Sequence, residues 1–341
     1  MRTALIGLGR MGWNVHLPEI LRHEECELCA AVDTNAERLA ELKENHGVTG
    51  YSDYREMLEK EKPELVVIVT PTVFHEEQAI AALKAGADVI LDKPMATSYE
   101  ETLNIQKAVE ETGKKLVVYQ SARYNVRAFA ARSILSRGIL GPVYQIKCSE
   151  YDYVRRNDWQ AFKDLGGGML FNYGPHQLDL ALHLAGDRAK RYFCSVQTVA
   201  TLGDAEDVVR LMIETENGMI LDVDVNTASA HNTSKIVLWG KYGTAQLAKN
   251  AEGVQCFHVK YYDPQELVSQ EASKSLEMKN RQYPREQINW KEEWIPLSSV
   301  EKRNFYTDCL KYFAGEGESP VPVHETVEVM RILDECKQYR D

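Results

Sequence analysis

The stretch TALIGLGRMG, residues 3–12, sets the reading of the whole chain. Ala4, Leu5 and Ile6 make a short apolar run, and glycines follow at 7, 9 and 12. A buried strand that ends in GxGxxG and opens a helix is a dinucleotide-binding turn. Gly7 permits the tight turn, Gly9 lets a diphosphate approach the backbone, and Gly12 lets helix and strand pack closely. The helix N-terminus then faces the anion. Asp33 ends the next apolar run, twenty-one residues beyond Gly12. A carboxylate there accepts hydrogen bonds from ribose hydroxyls and repels a 2′-phosphate, so NAD is expected over NADP. Arg38, one turn into the following helix, softens that preference.

Working outward, apolar runs at 3–6, 28–32, 65–70, 89–91 and 116–119 alternate with amphipathic stretches at 35–46, 75–85 and 98–112. Gly47, Gly86 and Gly113 stand where those helices terminate. Buried runs alternating with helices predict an α/β fold with a doubly wound parallel sheet. After Gln120 the pattern changes. A helix fits 126–137, a strand 143–153, and a helix 178–184. Strand-like runs then follow at 191–201, 208–214, 219–226, 234–238, 245–248 and 254–261, joined by turns such as Glu216-Asn217-Gly218. Consecutive strands with short turns predict a large, mostly antiparallel open sheet. Residues 263–293 read as an excursion or arm, and a last helix fits 325–338. The expected division is a dinucleotide-binding domain over 1–120 and a substrate-binding and oligomerisation domain over 121–341. The last helix is placed to pack back on the first domain.

The chain has 341 residues, 27% of them charged, and a net charge of -11. An acidic surface repels phosphate backbones, so nucleic acid is not an expected partner. No apolar run approaches the length that spans a bilayer, and the first residues are too short an apolar stretch for a signal peptide. A cytoplasmic protein without membrane attachment is expected. Seven scattered cysteines, with one lone CxxC at Cys26 and Cys29, read as reduced structural thiols.

Ligands of open α/β sheets lie beyond the carboxyl ends of strands. Two such ends carry chemistry: Thr70-Pro71-Thr72-Val73-Phe74-His75 and Asp92-Lys93-Pro94. A third candidate is GGGMLFNYGPHQLDL, residues 166–180. Pro175 suits a helix start, which puts His176 in the first turn and Asp179 on the same face. Asp179 is thus a candidate to orient the imidazole or to bind substrate. Histidine titrates near working pH, so His176 is a candidate for proton transfer. His176, Asp179 and His183 also have the spacing of helical metal ligands. Nicotinamide chemistry needs no metal, and none is expected. Upstream, Arg155 and Arg156 are candidates to grip a carboxylate or phosphate, and Trp159 to stack on a ligand's apolar face.

Taken together, GLGRMG, Asp33, TPTVFH, DKP, the segment Gln120 to Tyr124, the GGG…H..D stretch and WGKYGTAQ resemble the Gfo/Idh/MocA oxidoreductase family over nearly the whole chain. That resemblance implies an N-terminal Rossmann domain and a C-terminal α/β domain whose open sheet commonly mediates dimer or tetramer assembly. It implies an NAD-dependent oxidoreductase acting on a secondary hydroxyl or ketone of a sugar, cyclitol or sugar derivative. Lys93 matches the family lysine that contacts substrate hydroxyls and nicotinamide ribose, and His176 the histidine cast as general acid/base. Asp92 stands where glutamate is commoner. Asn172 stands where inositol dehydrogenase-like members carry aspartate; asparagine donates and accepts hydrogen bonds but carries no charge. Leu8, Arg10, Met11, Thr34, Thr70, Pro71, His75, Asp92 and Gln120 join the glycines, Asp33 and Lys93 as expected cofactor residues. Arg123, Tyr153, Arg155, Arg156, Trp159, Asn172 and Asp179 are the expected substrate residues. Two alternatives stay open: redox-neutral epimerisation or glycoside cleavage with tightly held NAD, and a non-catalytic NAD-sensing regulator of the same fold.

Overall fold

The computed structural model describes residues 1–267 and 287–340. Most of the expected arm over 263–293 lies outside the described residues. In the first part, strands β1 (Arg2–Ile6), β2 (Glu27–Val32), β3 (Thr49–Tyr51), β4 (Leu65–Ile68), β5 (Asp88–Leu91) and β6 (Leu116–Val118) pair in the order β3-β2-β1-β4-β5-β6. Every pairing is parallel. Helices α1 (Leu17–Arg22), α2 (Ala36–His46), α3 (Tyr54–Glu61), α4 (His75–Lys84) and α5 (Tyr99–Thr112) connect them. The strand order reverses between β1 and β4, where a doubly wound sheet opens its ligand crevice.

Successive residues of the strands face opposite sides, and both sides are covered. Ala4, Ile6, Val66, Ile68, Val89 and Leu91 point into one core, while Leu5, Val67, Ile90 and Val117 point into the other. This two-sided burial explains the unbroken apolar runs. Each fully buried Leu, Ile or Val contributes roughly 1.5–3 kcal/mol. Local signals fix the helix ends. The Asn35 side chain accepts from the Glu37 and Arg38 amides, and Ser98 accepts from Glu101 N. Gly113 closes α5 at φ 65°, a conformation only glycine adopts cheaply.

The second part contains α6 (Val126–Ser136), β7 (Val143–Tyr151), α7 (Met169–Asn172), α8 (Gly174–Ala185), β8 (Ala189–Gln197), β9 (Val208–Thr215), β10 (Ile220–Asn226), β11 (Ile236–Gly240), β12 (Gly243–Lys249), β13 (Gln255–Tyr261), β14 (Lys291–Pro296), α9 (Phe305–Phe313) and α10 (Val323–Cys336). Its sheet runs β14-β13-β12-β11-β7-β10-β9-β8 and is antiparallel except where β10 joins β7. Ile146, Cys148, Leu211, Ile213, Leu221, Val223, Leu238, Phe257 and Val259 face a core shared with α6, α8 and α10. The other face carries one continuous cross-strand row: Phe193, Met212, Asp222, Lys147, Val237, Gln246, His258 and Trp294. Helix α10 joins the two parts, since Met330 lies in a core of the first sheet and Val329, Ile332, Leu333 and Cys336 in that of the second. All seven cysteines are unpaired.

Four elements differ from the sequence reading. Strand β3 and helix α3, absent from it, complete the outer edge of the first sheet. Strand β14 occupies the end of the expected arm and extends past it. Helix α9 covers the β1–β4 side of the first sheet through Phe305, Tyr306, Cys309, Leu310 and Phe313.

Candidate functional site

The glycine turn combines two tight spots with one open one. Gly7 sits at φ +100°, and a Cβ there would lie 2.6 Å from the Val69 carbonyl oxygen. A Cβ on Gly12 would lie 2.0 Å from the Gly7 oxygen. Gly9 differs, for a Cβ there would meet nothing within 4 Å. That open face at the crevice mouth, with the following helical turn behind it, fits a dinucleotide diphosphate. Leu8 N donates to Asp33 Oδ2 and Asn35 N to Asp33 Oδ1, each at 2.8 Å, so the carboxylate is fixed at the rim of the turn. Arg38 Nη1 stands 3.3 Å from Asp33 Oδ2 and offsets part of its charge. Leu8 is buried and Met11 packs against the core, so those two positions offer backbone; Arg10 and Thr34 are exposed beside them.

Thr70 and Pro71 follow β4, with Thr70 Oγ1 donating to Gln78 Oε1 at 2.7 Å. His75 turns inward. Its ring is buried, with Nδ1 2.9 Å from the Pro94 oxygen and Nε2 2.9 Å from the Thr70 oxygen. The ring lies between the β4 and β5 loops and, kept neutral by burial, donates to one of the two carbonyls. Gln120, at the end of β6, is buried, and its Oε1 has no hydrogen-bond partner among the described residues.

Lys93 lies just past β5, and its Nζ donates to the Asn172 backbone oxygen at 2.6 Å and to Asn172 Oδ1 at 3.4 Å. Burial lowers the ammonium to about 8, partly opposed by Asp92 and aided by Arg10. Burial likewise raises Asp92 to about 6 against the pull of Lys93. His176 is in the first turn of α8, behind Gly174 and Pro175. Burial, then the nearby Lys93 charge, lowers its imidazole to about 3. Lys93 thus lies near enough for its charge to act on the imidazole, and His176 is neutral at pH 7. The Tyr173 ring stands edge-on at 6.2 Å from the His176 ring. His176 Nδ1 is buried with no partner among the described residues.

Asp179 does not orient that imidazole. Arg123 Nε and Nη2 donate to its two oxygens at 2.7 and 2.6 Å, and Arg123 Nη1 to Glu325 Oε2 at 2.5 Å. Arg123 and Asp179 are both buried, and Arg123, from the turn Ser121–Tyr124, thereby ties α8 through Asp179 to α10 through Glu325. The same pairing puts a guanidinium where the metal reading needed a ligand, and Arg132 Nη1 lies 3.2 Å from His183 Nε2. The rim residues also differ from expectation. Arg155 Nε donates to the Ala200 oxygen at 3.1 Å, and Arg156 pairs with Asp158. Arg155 is thus tied to the segment between β8 and β9 and Arg156 within its own loop, while Tyr153 and Trp159 remain 56% and 55% exposed. Gly167 and Gly168 serve close packing of the chain on itself: a Cβ would lie 2.4 Å from the Gln160 oxygen or 2.2 Å from Glu206 Oε1, respectively.

One residue that sequence reasoning missed enters the site. Gln160 Oε1 accepts from Asn172 Nδ2 at 3.1 Å. No motif marks it, because the contact depends on how the 153–165 loop folds over the glycines.

Two family descriptions match the sequence. One, an oxidoreductase family with an NAD-binding Rossmann fold, covers residues 1–120, and the Gfo/Idh/MocA C-terminal domain covers residues 129–246. The chain belongs to the Gfo/Idh/MocA oxidoreductase family. Its first sheet is therefore an NAD-binding Rossmann unit. Among relatives of this family, a 1-carboxy-3-chloro-3,4-dihydroxycyclohexa-1,5-diene dehydrogenase of Comamonas testosteroni is 27% identical over 70% of this chain and 61% of its own length. A D-glucoside 3-dehydrogenase of Escherichia coli is 30% identical, and the matched stretch spans 54% of each protein. The chain thus spans little more than half the length of these relatives. An NAD-binding protein from Listeria innocua shares the fold, with a TM-score of 0.81 at 21% identity, over 99% of this chain and 94% of that one.

Proposed function

We propose that this Gfo/Idh/MocA oxidoreductase moves a hydride between NAD and a secondary hydroxyl or ketone of a sugar, cyclitol or sugar derivative. The observation that carries this reading is the convergence of Lys93, Asn172 and His176, drawn from both sheets' surroundings, at the carboxyl end of β5. The glycine turn and Asp33 would hold NAD, which when bound supplies the hydride acceptor. Lys93 donates to the substrate oxygen and stabilises the negative charge that develops there. The electron pair of the C–H bond leaves with the hydride, and the O–H proton passes to neutral His176. Asn172 offers its amide to a neighbouring hydroxyl. The D-glucoside 3-dehydrogenase among the relatives supports a polyhydroxylated substrate.

A homo-oligomer formed through the open sheet belongs to the same reading. Phe193, Met212 and Trp294 on the cross-strand row are 68%, 52% and 44% exposed, and Lys147 and Asp222 lie between them. Asp222 and Lys147 face each other within the chain, which leaves an apolar-rimmed row that a second copy related by a two-fold axis would cover.

The test is a sugar and polyol panel with NAD, scored for reduced nicotinamide released per product formed. Stoichiometric release is expected. An altered sugar without release would favour redox-neutral chemistry, and tight NAD binding with no turnover would favour a sensing role.

A further inference from the structure

The glycine-rich stretch before α7 is not absorbed by the mechanism above, and its neighbour Gln160 explains it. We infer that Gln160 is a positioning residue of the Lys93 site: its side-chain amide holds the Asn172 amide with the oxygen turned toward the Lys93 ammonium. The functional weight of this assignment rests on the oxidoreductase reading; the geometry stands by itself.

Lys93 Nζ can only donate, so the Asn172 atom facing it at 3.4 Å must be the oxygen. The Asn172 Nδ2 then points away and needs an acceptor, which Gln160 Oε1 supplies at 3.1 Å. Gln160 is itself anchored at its backbone. Its carbonyl accepts from Gly168 N at 3.0 Å, and its N–H donates to Asp158 Oδ1 at 3.2 Å. The Gln160 carbonyl would lie 2.4 Å from a Cβ at Gly167. The absence of side chains at 167 and 168 therefore lets the Gln160 turn (Trp159–Ala161) lie directly on the chain that leads to Asn172. Without Gln160, the amide can rotate and present its NH2 group to the ammonium, where two donors oppose each other. With it, Asn172 offers Lys93 and substrate an acceptor of fixed direction. A charged residue at 172 would gain the same direction from attraction alone; a neutral one needs this second amide.

The charged and titratable groups around Lys93 are Asp92, Arg10 and His176, and Arg156 and Asp158 flank Gln160. The experiment compares wild type, Gln160→Leu and Gln160→Glu as full-length protein. Competitive acetylation of Lys93 against pH, read by peptide mass spectrometry, gives its titration midpoint without needing turnover. Gln160→Leu should lower that midpoint by about half a unit or more, because the oriented acceptor is lost. Gln160→Glu keeps the acceptor, adds negative charge, and should raise it. In turnover, Gln160→Leu should cut kcat about tenfold or more with NAD affinity unchanged, and Gln160→Glu should restore part of the rate with its pH optimum moved upward. Identical Lys93 midpoints in all three proteins would overturn the inference, and the Gln160→Glu arm decides it if the leucine variant folds poorly. Shifted midpoints in a protein that oxidises no polyol would leave the inference standing and remove the functional reading.

Discussion

Gly9 and Gly12 share one motif, yet the structure asks different things of them. A methyl at Gly12 would collide with the Gly7 carbonyl, whereas one at Gly9 enters open space. Gly12→Ala should therefore cost about 3 kcal/mol or more of stability, through overpacking against backbone. Gly9→Ala should fold normally and weaken NAD binding by about tenfold or more. Urea midpoints and NADH titrations on the two variants separate these outcomes. Lys93 carries a second expectation. It must be charged to polarise the substrate, and it titrates at about 8 while His176 stays neutral down to about 3. kcat/KM should fall as pH rises through 8, and Lys93→Arg, whose charge persists, should abolish that alkaline limb at reduced kcat. A limb unchanged in Lys93→Arg would count against Lys93 as the titrating group. Gly9, Asp33, Lys93 and His176 were legible in the sequence because each sits in a local motif beside a predicted strand or helix end. The Arg123–Asp179 pair was not, since the partners are 56 residues apart and only the fold brings them together.

At the scale of elements, α8 carries His176 at one end and is held in place by the buried guanidinium of Arg123. Replacing Arg123 with methionine leaves Asp179 buried without its counter-charge and frees Glu325. Breaking such a pair from one side costs roughly 3–5 kcal/mol. Denaturant unfolding of Arg123→Met should show that loss, whereas Arg123→Met with Asp179→Leu should recover most of it. A double variant no better than the single would argue that packing, not the stranded charge, sets the cost. Most strands and long helices could be read from pattern, since the first sheet's strands bury both faces as unbroken apolar runs and the helices bury one regular face. Strand β3 could not: it has three residues, includes Gly50, and exposes Thr49 and Gly50. Helix α9 had a readable signal, with Asn304 accepting from Thr307 N and apolar residues at 305, 306, 309, 310 and 313. Its place against the first sheet was not readable, because it returns from the far end of the chain.

For the whole molecule, buried neutral histidines make stability depend on pH. His16 and His176 are each lowered to about 3 by burial, against 6.5 as the ordinary value. Between those values the unfolded chain binds protons that the folded chain does not, so stability rises with pH across the window. Lowering pH from 7.5 to 6 should cost about 1.5 kcal/mol from these two residues together. The raised Asp92, at about 6, works in the opposite direction and offsets about 0.4 kcal/mol of this loss by pH 6, and more below it. A urea midpoint that holds or climbs over this interval would contradict the assignment. Assembly has its own check, for Phe193→Glu should convert an oligomer to monomer in sedimentation without loss of NAD binding. The most direct measurement of all is the initial rate of reduced-nicotinamide formation across a sugar and polyol panel for wild type, Lys93→Ala and His176→Ala, with NAD affinity determined on the same samples. Expected are turnover of at least one polyol by wild type and a loss of about a hundredfold or more in both variants, at unchanged NAD affinity. Turnover that survives in Lys93→Ala, or a wild type that binds NAD and oxidises nothing in the panel, would contradict hydride transfer at this site.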